Sequence, residues 1–479
     1  MKKKSFLFIT AIVFIAVTFI SCTQPVDPEQ IPGQDDQEQQ EPEKLEALTG
    51  TVLVTDNWVW DSKPAIVIEV SNPNKVDVTE VVSVAITTDL KKAVTTVEQS
   101  VEVPASGTKK VTISTEEDLE PGFYKARCMV GKKAVRSFFF GISPYEVVSE
   151  PDMQPDFDEY WTNAKACLPE LVEGETVTLT EVTTKSNDKS KVYLVKMQSA
   201  PNSPDGEPVI VRGFYVEPQD GEKHPVIMHF FGWDDRGGSV TVPSGGSGIY
   251  AEFYLSTRGQ YNNNRPAAFE KTEEWIAEYG EWVPDDPCEY ASIMKPNDKY
   301  NWFGFNFGDK DGFYYRGAFL DCVQAVRFMA SRSTSDMNNL FAEGSSQGGA
   351  LSYACAALSD YPFTAIACNV AFLGDYPDYF NIVSWPGDTA KANKGSMTDE
   401  EMYAFLSYYD TKNLATKISC AVLASSGLQD GTCPPHTNFA AFNNLNTEDK
   451  EMVIDPEMGH SYPAGWSTKQ SNFFKERIK

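Results

Sequence analysis

Hydrophobic spacing divides the chain into three stretches of different character. Phe6 to Ile20 is an almost unbroken apolar run behind Lys2, Lys3 and Lys4. Residues 48–145 then carry seven short runs rich in Val, Ile, Thr and Phe: 50–55, 65–71, 81–88, 98–103, 109–114, 122–130 and 134–141. Val101-Glu102-Val103 and Val111-Thr112-Ile113 alternate strictly, the period of a strand with one face in a core and one in water. Turn residues such as Asn72-Pro73-Asn74, Ala105-Ser106-Gly107 and Pro121-Gly122 punctuate the runs. Seven such strands predict an all-β sandwich of the immunoglobulin type over 48–145. Beyond residue 150 the rhythm switches. Apolar runs at 209–216, 225–231, 249–255, 338–343, 364–370, 419–426 and 450–455 alternate with helical spacing at 156–168, 313–332, 347–359, 399–409, 436–443 and 468–477. That alternation predicts a mostly parallel sheet with helices on both faces, an α/β domain over 150–479.

The first stretch reads as an export signal rather than a membrane span, because the apolar run is short and ends on small residues. Ile20-Ser21-Cys22 resembles a bacterial lipobox, which implies cleavage after residue 21 and a lipid on Cys22. The expected location is the outer membrane, with the protein anchored by that lipid and not spanning it. Residues 23–47 hold eight acidic residues and one lysine with almost no large apolar side chain, so 22–47 is expected to be a disordered acidic tether.

Charge narrows the partners. With 41 Lys and Arg against 68 Asp and Glu, the net charge of −27 repels nucleic acid and disfavours docking on anionic lipid. Four histidines (His224, His229, His436 and His460), none paired at i, i+4, argue against a zinc centre, and no metal or other cofactor is expected. The cysteines after Cys22 lack a C-x-x-C pair and are expected to be mostly buried thiols with at most one disulfide. Trp58 and Trp60 stand at i, i+2, which suits a sugar-binding face and core packing equally.

The sharpest chemical signal is Gly344-Ser345-Ser346-Gln347-Gly348, a G-x-S-x-G run between an expected strand and an expected helix. That context is a nucleophile elbow: flanking glycines permit the tight turn that exposes the serine. Ser346 is therefore the expected nucleophile. A serine hydroxyl needs a base held by an acid, in the chain order Ser, Asp or Glu, His. Of the two histidines that follow, His460 lies just past the last expected strand, whereas His436 starts an expected helix and reads as a capping or surface residue. Asp430, in Gly427-Leu428-Gln429-Asp430-Gly431, is the expected acid; Asp375, Asp378 and Asp410 are rivals that read as solvated loop charges. The oxyanion hole is expected from the N–H groups of Gln347 and of Trp233, the latter in the Gly-rich loop that begins at Gly232.

Together these residues resemble the acetyl xylan esterase/cephalosporin C deacetylase family, carbohydrate esterase family 7, across most of 150–479. Asp156 to Trp161 resembles the family's opening helix, and Thr257-Arg258-Gly259-Gln260 its Arg-Gly-Gln motif. Tyr314-Tyr315-Arg316 and Asp321 resemble the helix before the serine, and Asp430 to Pro435 followed by Phe439 to Asn443 the acid-bearing segment. The resemblance implies Ser346, Asp430 and His460 as triad, Trp233 and Gln347 as oxyanion donors, and a supporting role for Arg258 and Gln260. It also implies an acetylated oligosaccharide or polysaccharide substrate and a homo-oligomer. Three departures stand out: Ser461 where the family has Glu, Tyr261 where it has Gly, and the added sandwich with its lipid signal. Residues 262–312 resemble the family's insertion, and their aromatics (Trp275, Tyr279, Trp282, Trp302, Phe303 and others) are expected to pack rather than to bind sugar. The function so implied is a serine acetylesterase of xylan-type carbohydrate. The alternatives are a non-catalytic glycan-binding lipoprotein, or a lipase, thioesterase or peptidase on the same fold.

Overall fold

The computed structural model describes residues 44–203, 206–233, 240–259 and 302–479. The signal, Cys22, nearly all of the tether, Gln260, Tyr261 and the insertion aromatics up to Tyr300 lie outside them. Glu46–Lys479 form one compact unit. No helix of the described residues is long and apolar enough to cross a membrane.

The N-terminal region contains β1 (Thr49–Leu53), β2 (Val59–Trp60), β3 (Ile66–Ser71), β4 (Val78–Thr88), β5 (Ala93–Val103), β6 (Thr108–Ile113), β7 (Gly122–Val130) and β8 (Lys133–Ile142). They form two sheets, in the orders β1-β3-β6 and β2-β8-β7-β4-β5. Alternation explains the burial: Ile66, Ile68 and Val70 of β3, and Val82, Val84 and Ile86 of β4, point inward. Trp58 corrects the strand-face reading. It sits in a turn, is fully buried, and packs its ring 4.2 Å from that of Phe138, so no sugar can reach it. Trp60 lies edge-on to Phe140 and is half-buried.

The second region is built on nine strands: β9 (Val177–Glu181), β10 (Ser190–Ser199), β11 (Val209–Pro218), β12 (His224–Phe230), β13 (Ala251–Ser256), β14 (Ser335–Ser345), β15 (Ala365–Asn369), β16 (Ala421–Gly427) and β17 (Lys450–Asp455). Their order is β17-β16-β15-β14-β12-β13-β11-β10-β9. From β17 to β13 neighbours run parallel; β11, β10 and β9 extend the sheet antiparallel. The sheet is thus mixed but mostly parallel, as expected, with an antiparallel edge that the sequence pattern did not predict. β9 and β10 escaped the sequence pattern because Thr178, Thr180, Lys191 and Lys196 dilute it; an antiparallel edge can keep one face in water.

Helices α1 (Phe157–Ala166), α2 (Tyr314–Ala330), α3 (Gln347–Leu358), α4 (Tyr376–Ile382), α5 (Gly387–Asn393), α6 (Asp399–Leu406), α7 (Thr411–Ala415), α8 (Pro435–Asn443) and α9 (Trp466–Lys475) cover the sheet. α4, α5 and α7 are short and lack an apolar period long enough to detect. α2 is buried on all sides, and Trp466, Phe473 and Phe474 of α9 cover Phe341 and Leu423 on the sheet's other face.

The two regions share an interface. Phe123 of β7 packs 5.4 Å from Phe439 of α8, and Tyr145 lies edge-on to Phe439 and Phe442. Gln429 pairs with the backbone of Phe139 in both directions, at 2.9 Å each, and Arg136 meets Glu457 at 2.9 Å.

Candidate active site

β14 ends in Gly344-Ser345, and Ser346 turns the chain into α3 with φ 59° and ψ −119°. A side chain on Gly344 would lie 2.2 Å from the Gly348 backbone, and one on Gly348 would lie 2.3 Å from the Phe230 carbonyl oxygen. The glycines of the motif are therefore a packing requirement of the elbow, while the positive φ falls on Ser346 itself. The strained serine backbone is held by its N–H to Asn369 O at 2.9 Å and by its carbonyl, which accepts from Phe372 N–H at 3.0 Å.

His460, in the loop after β17, faces Ser346. Its Nε2 lies 2.9 Å from Ser346 Oγ and its Nδ1 lies 2.8 Å from Asp430 Oδ2. Asp430 is buried while the imidazole stays 30% exposed, so a molecule from solvent can reach the ring and not the carboxylate. The other carboxylate oxygen accepts from the N–H groups of Thr432 and Cys433, at 2.8 and 2.9 Å. These bonds leave Oδ2 for the imidazole and favour the tautomer in which Nδ1–H donates to Asp430 and Nε2 accepts from the serine hydroxyl.

On the expected oxyanion side, a side chain on Gly232 would stand 3.7 Å from Ser346 Cβ, so Gly232 lies against the serine turn and Trp233 follows it in the chain. The Trp233 indole meets Trp302 edge-on at 4.5 Å. Gln347 is fully buried, its side-chain oxygen accepts from Tyr315 O–H at 3.1 Å, and its N–H belongs to the first turn of α3, where backbone donors have no partner within the helix. The Cys433 thiol is buried close to Asp430, Tyr379 and Ser346. Burial, and then the Asp430 carboxylate, push it well above its ordinary value, so it stays protonated and does not compete as a nucleophile.

Arg258 and Asp321 form a buried ion pair: Nη2 lies 2.6 Å from Oδ1, Nε donates to Oδ2 at 2.9 Å, and Ser199 Oγ donates to Oδ1 at 2.6 Å. The guanidinium also donates to Ala200 O and Asn202 Oδ1, which ties the end of β13 to β10 and α2. Trp302 and Phe303 are buried and pack against their neighbours.

Two assignments change. His436 is not a surface residue: it is buried, with Nδ1 2.8 Å from Asp89 Oδ2 of the N-terminal region and Nε2 3.3 Å from Asp378 and 3.7 Å from Asp375. Nor are Asp375 and Asp410 solvated charges. Asp410 accepts from the N–H groups of Asp375, Tyr376 and Lys412, and Asp375 pairs with Lys412 at 3.1 Å. Helix-start spacing alone could not show that a second region would lay Asp89 over His436. Sequence reasoning also missed Asn369, which donates to Ser345 Oγ at 2.7 Å and to Ser461 O at 3.1 Å and so joins the serine turn to the histidine loop.

Burial opposes charge on His436, but its three carboxylates outweigh it and hold the imidazole well above its ordinary value. Because the folded value is raised, this group's stabilisation is complete below the unfolded value of about 6.5 and declines as pH rises from there through the folded value. The difference in urea midpoint between the wild type and His436→Gln should therefore be largest near pH 6 and shrink at alkaline pH. A difference that grows with pH would contradict the charged-ring assignment.

Residues 144–478 match the family model of the acetyl xylan esterases (AXE1). The chain is 27% identical over 380 residues to acetyl esterase Axe7A of Xylanibacter ruminicola, a match covering 78% of each chain. Acetyl xylan esterase 1 from a Thermoanaerobacterium species superposes with a TM-score of 0.53 at 23% identity, over 70% of this chain and 98% of that one. Acetyl xylan esterase from Paenibacillus sp. R4 gives a TM-score of 0.54 at 24% identity, over the same shares of 70% and 98%. These two show the fold, an α/β-hydrolase type with a mixed sheet.

Proposed function

The chain belongs to the acetyl xylan esterase family, and on that premise we propose that it is a serine esterase that removes O-acetyl groups from xylan-type carbohydrate through an acetyl-enzyme intermediate. The observation that carries the reading is the continuous relay from Ser346 Oγ through His460 to buried Asp430, at 2.9 and 2.8 Å.

His460 Nε2 takes the serine proton as Oγ attacks the acetyl carbonyl carbon. The oxyanion is held by the N–H groups of Trp233 and Gln347, with the head of α3 behind them. Collapse of the tetrahedral intermediate breaks the ester C–O bond, and His460 returns the proton to the departing sugar oxygen. Water, deprotonated by the same imidazole, then attacks the acetyl-serine. Acetate leaves and Ser346 is reprotonated. Asp430 holds the ring and stabilises its positive charge in both halves. No step calls for a metal. Cys22 is proposed to carry the lipid that holds the protein at the outer membrane, and the N-terminal sheets to be an immunoglobulin-like sandwich that docks on the catalytic region.

Acetate release from acetylated xylo-oligosaccharides tests the substrate class. Acyl size tests the reading: Trp233, directly after Gly232, is proposed to close a small acyl cavity beside Ser346. kcat/KM should therefore fall at least about tenfold from the acetyl to the butyryl p-nitrophenyl ester. In an open lipase-like groove, each methylene would instead gain about 0.8 kcal/mol by burial. Preference for octanoyl over acetyl would overturn the acetylesterase reading.

A further inference from the structure

We propose that Trp385 is the platform on which the sugar bearing the acetyl group stacks, an inference that rests on the carbohydrate reading above. Trp385 lies between α4 and α5, and it is the exposed tryptophan among the described residues, at 42%. One face of its indole lies flat on Phe372, with ring centroids 5.4 Å apart and planes 7° apart. Since Phe372 occupies that face, the exposure belongs to the opposite face and the edges.

The stack is tied to the catalytic machinery on two sides. Phe372 is buried, and its N–H donates to Ser346 O at 3.0 Å. Its ring also packs 5.9 Å from Tyr379, whose hydroxyl donates to the carbonyl of Thr432 in the turn that holds Asp430. The exposed indole face is therefore mounted two contacts from the nucleophile and four from the acid.

A rigid, exposed indole face is costly to leave in water and suits a flat apolar partner. A pyranose with equatorial hydroxyls has such a face: its ring C–H bonds pack on the indole while its hydroxyl edge stays hydrated. An uncharged sugar is also not repelled by a chain with a net charge of −27. A small acetyl pocket holds little of the substrate, so a sugar platform would supply binding that the acyl group cannot.

The test compares acetylated xylo-oligosaccharide with ethyl acetate, whose leaving group has no ring, using full-length protein. Trp385→Leu keeps Phe372 covered but removes the flat face; Trp385→Phe keeps it. The ratio of kcat/KM on oligosaccharide to that on ethyl acetate should fall about tenfold in Trp385→Leu, mainly through KM, and return to within about threefold of wild type in Trp385→Phe. A ratio unchanged in Trp385→Leu, or equally low in both variants, overturns the platform. A wild type that hydrolyses ethyl acetate but releases no acetate from oligosaccharides overturns the carbohydrate reading itself, and the platform with it.

Discussion

Ser346→Ala is expected to lower kcat by about 10³-fold or more while leaving the urea midpoint unchanged. Alanine keeps Cβ, so the strain of the positive φ is the same in both proteins, and the backbone bonds to Asn369 and Phe372 remain. What disappears is the Oγ that the proposed mechanism uses to form the acetyl intermediate. The histidine and the backbone donors stay, so the residual rate should still exceed that in water. Steady-state hydrolysis of p-nitrophenyl acetate with a parallel urea titration decides the matter. Retention of more than about a tenth of wild-type activity would remove Ser346 from its role.

Removal of the N-terminal region, leaving 150–479, should have the next largest effect. Phe439 and Phe442 would lose their cover, and His436 would lose Asp89. Gln429, adjacent to Asp430 in the chain, would lose both bonds to Phe139. Each buried hydrogen bond broken costs about 1 kcal/mol, and the uncovered apolar surface adds more. The shortened chain should be poorly soluble, or melt at least about 5 °C lower with kcat/KM reduced at least about tenfold. A chain starting near residue 48 should keep full activity. Equal stability and activity of the 150–479 and 48–479 chains would show the β region to be an independent spacer.

How much of this was legible in the sequence depended on whether the information was local. The elbow was legible because Gly344 and Gly348 are required by contacts a few residues away and by one neighbouring strand. That Ser346, Asp430 and His460 would meet was legible because chain order and strand-end position restrict the choice to few residues. His436 was misread because its partners come from β-region and α4 residues that no local pattern connects. β9 and β10 were missed because Thr178, Thr180, Lys191 and Lys196 interrupt their apolar runs. The surroundings of Trp58 show the reverse failure: a strand-like i, i+2 spacing concealed a turn that buries the indole.

The pairing of Gln429 with Phe139 spans 290 residues, and it has a kinetic consequence. Contacts of such long sequence separation form late, because the loop-closure entropy must be met before they stabilise anything. The β region emerges first from the ribosome and can complete its sheets alone; the turn that carries Asp430 docks on it only when nearly the whole chain is present. In refolding, the far-ultraviolet signal of strands and helices should therefore recover well before esterase turnover. The last event in the birth of the enzyme would be the seating of its acid.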